Sequence, residues 1–220
     1  MSLNKSTGNM YSFCNYTWNP IGGLCPFDCS YCFMKRFKLG ELTLRKHFLK
    51  DSLVDRGTVF VGSSCDMWAD EVPDEWIVEV LEYCHRFPET KFLFQSKNPA
   101  RFVDFRFPPN TMLGTTLETN RDHGVSKAPS PEKRYKAFAS ITKYWDIVSM
   151  VSVEPVMDFD LDVFVRWIRD IAPDFVSVGA DSKEHNLPEP PVEKVTSLIE
   201  ELKQFTEVRV KSNLKRLGAR

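Results

Sequence analysis

Short runs rich in Val, Phe, Ile and Thr alternate along this chain with stretches whose apolar residues recur every three or four positions. This alternation limits the fold more than any other feature. The strand-like runs are Ser12–Trp18, Thr58–Val61, Lys91–Gln95, Thr111–Leu117, Ile147–Val153 and Phe175–Val178, with a weaker one at Glu207–Val210. Between them, Ile77, Val80, Leu81 and Cys84 follow the helical i, i+3, i+4, i+7 pattern, bounded by Pro73 and Pro88. Leu161, Phe164, Val165 and Ile168 repeat it, as do Val195, Leu198, Ile199 and Leu202. Tyr135, Phe138 and Ala139 follow it in part, with Ser130 as predicted N-cap and Pro131 at the first helical position. Alternating β and α segments join through right-handed crossovers into a parallel sheet. Six or seven such units are too few to close an eight-stranded barrel, so the α/β reading divides between an open partial barrel and a flat doubly wound sheet. Either places the chemistry at the C-terminal ends of the strands.

With 220 residues and 42% hydrophobic content, the chain is long enough for a substantial core, and a single domain over 1–220 is expected. A net charge of −1 gives no global drive toward nucleic acid or anionic lipid. The segment 208–220 carries five basic residues and no acid, and reads as a solvated tail rather than a binding edge. No apolar run is long enough to span a bilayer and no secretory segment opens the chain, so no membrane partner and a cytoplasmic location are expected.

Six cysteines are present: Cys14, Cys25, Cys29, Cys32, Cys65 and Cys84. Three of them lie in the cluster loop 22–33, Gly22-Gly23-Leu24-Cys25-Pro26-Phe27-Asp28-Cys29-Ser30-Tyr31-Cys32-Phe33, with spacing C-x3-C-x2-C. Three thiolates so close together can wrap one face of a 4Fe–4S cubane and leave one iron without a protein ligand, free to chelate a small molecule. The rival metal is zinc, which asks for a fourth ligand. Cys14 falls in the first strand-like run, His47 is remote, and no second C-x2-C pair exists. A disulfide would leave one cysteine of the loop over.

The same spacing, with an aromatic residue (Tyr31) before the last cysteine, resembles the radical S-adenosylmethionine (SAM) superfamily. Two groups within it are most similar. A phage-borne family of unknown function shares Thr17-Trp18-Asn19-Pro20, Ser152-Val153-Glu154-Pro155 and Val178-Gly179. Spore photoproduct lyase and its relatives, which use the same radical on a DNA thymine dimer, share Ser64-Cys65-Asp66, Ser96-Lys97 and Gly114-Thr115-Thr116-Leu117-Glu118. The resemblance implies an open parallel (β/α)6-type barrel. It implies a 4Fe–4S cluster on Cys25, Cys29 and Cys32, with SAM as second cofactor. The implied chemistry is reductive cleavage of SAM to a 5′-deoxyadenosyl radical, which takes hydrogen from a substrate. An external electron donor such as flavodoxin or ferredoxin follows from that chemistry. Carried over, Ser64 and Asp66 fall near the SAM methionine, Lys97, following Ser96, near its carboxylate, and Thr116 and Glu118 near its ribose. One departure stands out: the hydrogen-donating cysteine of the lyase falls on Ser63, with Cys65 two residues on.

Other residues carry competing readings. Lys97 at a strand end is either a solvated rim residue or a ligand for an anionic group. Glu118 and Glu154 each follow an apolar strand and either accept from a SAM hydroxyl or ammonium or form an ordinary loop salt bridge. Cys65 is a packed thiol, a SAM contact or a hydrogen-atom relay. It points where Ser63 points if the strand stays extended. Cys84 reads as core and Cys14 as core or cavity lining. His47, His85, His123 and His185 lack metal spacing. Phe27, Tyr31 and Phe33 flank the cysteines and are expected to shield them from water. Function then divides between an enzyme acting on a nucleic-acid base or nucleotide, a phage-type enzyme working on another substrate with a partner protein, and a non-catalytic Fe–S or zinc module.

Overall fold

The computed structural model describes residues 3–183 and 185–218. Ten strands and four α-helices alternate along it. The strands are β1 (Leu3–Lys5), β2 (Tyr16–Trp18), β3 (Ile21–Gly22), β4 (Thr43–Leu44), β5 (Thr58–Val61), β6 (Lys91–Ser96), β7 (Thr111–Thr116), β8 (Val148–Val153), β9 (Phe175–Val178) and β10 (Glu207–Val210). The helices are α1 (Asp74–His85), α2 (Pro131–Tyr144), α3 (Leu161–Ile171) and α4 (Val192–Leu202). Each expected apolar stripe lies on one of these helices; those of α1 and α4 are fully buried, while Tyr135, Ala139 and Leu161 at the margins of the other two are half-buried. The Ser130 side chain accepts from the Lys133 amide at the start of α2, as an N-cap should.

One 8-stranded sheet has the order β1-β2-β5-β6-β7-β8-β9-β10, while β3 and β4 form a separate hairpin. Only the β1–β2 pairing in the large sheet is antiparallel; the rest are parallel. The parallel strands follow chain order without reversal, whereas a doubly wound sheet reverses at its switch point. That excludes the flat alternative and leaves the open barrel. A short 3-10 helix, Pro99–Asp104, stands in place of an α-helix between β6 and β7.

Side chains alternate across the sheet and give it two separate cores. The outer one packs the helices on Val59 and Val61, Phe92 and Phe94, Leu113, Val151 and Val153, and Val176 and Val178. Fully buried aromatics such as Trp68, Phe94 and Phe102 stabilise it by roughly 1.5–3 kcal/mol each. The inner core is small: Phe60, Leu93, Met150 and Phe175 close on Tyr11 and Cys14. Residues before β2 therefore fill the lumen.

That filling corrects the first expected strand, of which only Tyr16–Trp18 is extended. Cys14 does not lie in a strand; its amide bonds the Tyr11 carbonyl at 3.0 Å in a turn. The basic C-terminal segment is also not a tail. It forms β10 and the 3-10 helix Ser212–Leu217, with Leu214 buried and the Arg209 guanidinium 3.6 Å from the Phe175 ring centre. Aromatic faces and the half-buried Glu154 carboxylate draw Arg209 and Lys211 inward. Arg220, the last of the five, lies outside the described residues. No described helix is long and apolar enough to cross a membrane.

Candidate metal and cofactor site

The cysteine loop leaves the β3–β4 hairpin at the C-terminal end of β2. Gly23 has φ +110°, and a Cβ there would collide with the Glu41 carbonyl, so glycine is required. Turns then set the three thiols: the Asp28 amide bonds the Cys25 carbonyl at 3.2 Å, and the Cys32 amide bonds that of Cys29 at 3.1 Å. The segment after β7 fastens the loop, through Ser30 to Val125 and Lys127 to Phe27, each at 2.8 Å. Cys29 Sγ lies 3.2 Å from Ser126 Oγ.

Cys65 meets this loop from the end of β5. Gly62, at φ +80°, turns the chain, so Cys65 does not continue the extended line through Ser63. The buried Cys65 thiol sits beside Cys25, and this neighbour holds the Cys25 thiol below its ordinary value, at about 7, despite burial. The same contact, with burial, pushes Cys65 up. Burial raises Cys32. Ser63 and Ser64 both turn to Asn19, whose Oδ1 accepts from Ser63 Oγ at 3.2 Å and the Ser64 amide at 2.9 Å.

A second group sits at the ends of β6 and β7. Glu118 is buried, with its side chain 1% exposed. Arg134 Nη1 reaches its Oε2 at 2.7 Å; Tyr31 hydroxyl donates to Oε1, and Lys97 Nζ stands 3.5 Å from the same oxygen. Burial works against the Glu118 charge, but Arg134 and Lys97 outweigh it and hold the carboxyl at about 2. Burial likewise opposes the Lys97 charge; Cys29 and Glu118 overcome it and raise the ammonium. Burial and Glu118 raise the Tyr31 hydroxyl. Lys97 thus lies between the cysteine loop and Glu118, 5.5 Å from the Tyr31 ring centre. Asp66 braces the same corner, accepting from Ser96 Oγ at 2.9 Å and from the Lys97 amide at 2.8 Å.

Thr116 and Glu154 belong to a third group, inside the lumen. Thr116 Oγ1 accepts from Gln95, and the Tyr11 hydroxyl joins Gln95 and Ser152 at 2.9 and 2.8 Å. Glu154 holds Lys211 and Asn9, each at 2.7 Å, and Asn213 at 3.1 Å.

The structure therefore brings Tyr31, Lys97 and Glu118 together, and Cys65 to Cys25, but sets Ser64, Thr116 and Glu154 in separate networks. Arg134 escaped the sequence reading. Its signal was present, since Arg134, Phe138 and Ile141 fall at i, i+4, i+7 and are all buried on α2. Phe33 is a correction: it is 45% exposed with Arg36 above it, so only Phe27 and Tyr31 cover the loop. The histidines bond locally: His85 to the Leu81 carbonyl, His123 to the Asp158 carbonyl and His185 to Asp181. His47 packs edge-on against Phe48.

The donor set suits an iron–sulfur cluster. Its donors are soft thiols, one of them acidified, with Cys29 buried and Cys25 and Cys32 half-buried. Among the described residues, no three His, Cys, Asp or Glu side chains converge tightly enough for a single ion.

No protein-family model and no curated protein sequence matches the chain. Solved structures do. A spore photoproduct lyase variant with bound AdoMet and dinucleoside spore photoproduct aligns with TM-score 0.65 at 10% identity, covering 93% of this chain and 78% of that one. Streptococcus suis SuiB bound to precursor peptide SuiA aligns at 0.59 and 11% identity, over 88% of this chain and 48% of SuiB. Native anSMEcpe with bound AdoMet and Cp18Cys peptide aligns at 0.50 and 12%, over 88% and 62%. With its open, mostly parallel sheet and helices on the outer face, the chain shares the partial-barrel fold of the radical SAM enzymes.

Proposed function

We propose that the chain is a radical SAM enzyme built as a single domain. The observation that carries this reading is the meeting, at the C-terminal mouth of the barrel, of the C-x3-C-x2-C loop with a half-buried lysine that stands 3.5 Å from Glu118 and is charge-coupled to Cys29. Cys25, Cys29 and Cys32 bind a 4Fe–4S cluster. That cluster, when bound, supplies one electron for reductive cleavage of SAM at its open iron.

This chain's residues do the rest. Lys97 presents an ammonium to the SAM carboxylate, and Asp66 and Ser96 fix its backbone. Both oxygens of Glu118 are engaged, so its role is to orient Lys97 rather than to accept a ribose hydroxyl. Phe27 and Tyr31 exclude water, and the Cys65 thiol steadies the Cys25 thiolate. Glu154 shapes the lumen. A flavodoxin or ferredoxin delivers the electron. The substrate class suggested by the lyase-like fold is a nucleic-acid base or nucleotide.

The test is anaerobic incubation of reconstituted protein with a strong reductant and SAM. Release of 5′-deoxyadenosine, lost in Cys29→Ala, supports the reading. Intact SAM on fully cluster-loaded protein points to a non-catalytic module.

A further inference from the structure

Away from the cysteine loop, a second opening lies at the edge of the sheet, where β10 has no further strand beside it among the described residues. A cleft of about 270 Å³ runs between the segment Gly8–Phe13 and the end of β10. That is close to the lower bound for small-molecule sites. Arg209 and Lys211, two positions apart on one strand face, both line it, with the hydroxyl-bearing Ser12, Ser177 and Ser212. No carboxylate is among the lining residues.

Both cations are held in place. The Arg209 guanidinium lies 3.6 Å from the Phe175 ring centre and 5.1 Å from that of Phe13. Glu207 takes its Nε and Nη2, leaving Nη1 without a partner among the described residues. Lys211 Nζ sits 4.7 Å from the Tyr11 ring centre and gives one of its three donors to Glu154. Tyr11 and Phe13, also in the lining, are stacked at 5.3 Å. Asn9 adds one more requirement. Its amide nitrogen donates to Glu154, which fixes its orientation, and its buried Oδ1 has no partner among the described residues.

We propose that this cleft binds a phosphate ester, with Arg209 and Lys211 as its charged donors. Two cations and three hydroxyls exceed what the two oxygens of a carboxylate can accept, but match the three oxygens and greater charge of a phosphate. The Asn9 oxygen calls for an N–H or O–H donor on the organic part, and the ring pair offers that part an apolar wall. This narrows the substrate of the enzyme proposed above without depending on it: phosphate binding is read without cluster or SAM, so either reading can fail while the other stands.

The experiment is isothermal titration of the whole chain with phenyl phosphate, inorganic phosphate and benzoate, against Arg209→Gln and Ser212→Asp. Ser212 is exposed, so Ser212→Asp folds normally and carries the test if Arg209→Gln does not. Saturable binding of phenyl phosphate is expected, weaker binding of inorganic phosphate, and a loss of about tenfold or more in either folded variant. Absence of saturable binding, equal affinity for benzoate, or wild-type affinity in folded Ser212→Asp overturns the assignment.

Discussion

Glu118 and Glu154 stand at the ends of neighbouring strands, yet the chain treats them differently. Glu118, 1% exposed, is enclosed by α2 and the cysteine loop. Its partner Arg134 is fixed in turn by the carbonyls of Thr116 and Pro129, each at 2.8 Å. Glu154, 17% exposed, draws its partners from both ends of the chain, with Asn9 on one side and Lys211 and Asn213 on the other. Even the backbone makes room for it: a Cβ on Gly179 would lie 2.7 Å from Glu154 Oε1. The first carboxylate is a closed brace that orients Lys97 beside the thiols. The second ties the chain ends across the open side, next to the basic cleft. In this barrel the fully buried brace lies where the cofactors are proposed to bind, and the more exposed tie lies beside the cleft proposed for a phosphate ester.

The largest expected effect tests that contrast directly. Arg134→Ala leaves a buried carboxylate without its main partner and should cost about 3–5 kcal/mol of stability in urea denaturation. Glu154→Gln keeps the shape and loses one charge-assisted bond, at about 1–2 kcal/mol. Equal losses would break the comparison. Acid titration sharpens it. The folded Glu118 carboxyl, at about 2, is below its ordinary 4.5, so its contribution is complete above about pH 4.5 and fades as the pH falls toward 2. Wild type should therefore lose about 3 kcal/mol over that window that Glu118→Gln does not lose. Parallel stability curves for the two proteins would contradict the closed brace.

Sequence and structure agree where periodicity speaks. The four apolar stripes were legible because each helix buries one face, and the strand runs from Thr58 onward because they bury both and so read as short apolar runs. The cysteine loop was legible because thiol spacing is local. Arg134 was not, because a cation on an apolar stripe reads as surface until its buried partner is known, and Glu118 lies 16 residues earlier in the chain. The segment before Tyr16 misled for a related reason. Its aromatic residues are buried as in a strand, but in the lumen and without pairing. Arg209 and Lys211 looked like a solvated tail because nothing local marks the rings and carboxylate that hold them.

Smaller effects separate the residues around the thiols. Lys97→Ala should weaken SAM binding by about 1.5–3 kcal/mol with cluster loading unchanged. An unaltered dissociation constant at equal loading would remove Lys97 from the site and reduce Glu118 to a structural ion pair. Cys65→Ala should change least. Uncoupled 5′-deoxyadenosine formation should stay within a few-fold of wild type, since Cys65 is read as a buried neighbour of Cys25 rather than a reacting group. Continued SAM cleavage with loss of substrate-derived product would instead make Cys65 the hydrogen relay.

The central claim is that Cys25, Cys29 and Cys32 hold a cubane with one iron open to SAM. Its most direct test is metal analysis with electron paramagnetic resonance on anaerobically reconstituted protein. About four irons per chain are expected, with a reduced-cluster signal that shifts when SAM is added and is absent in Cys29→Ala. Tightly bound zinc with no such signal, or a signal indifferent to SAM, would contradict it.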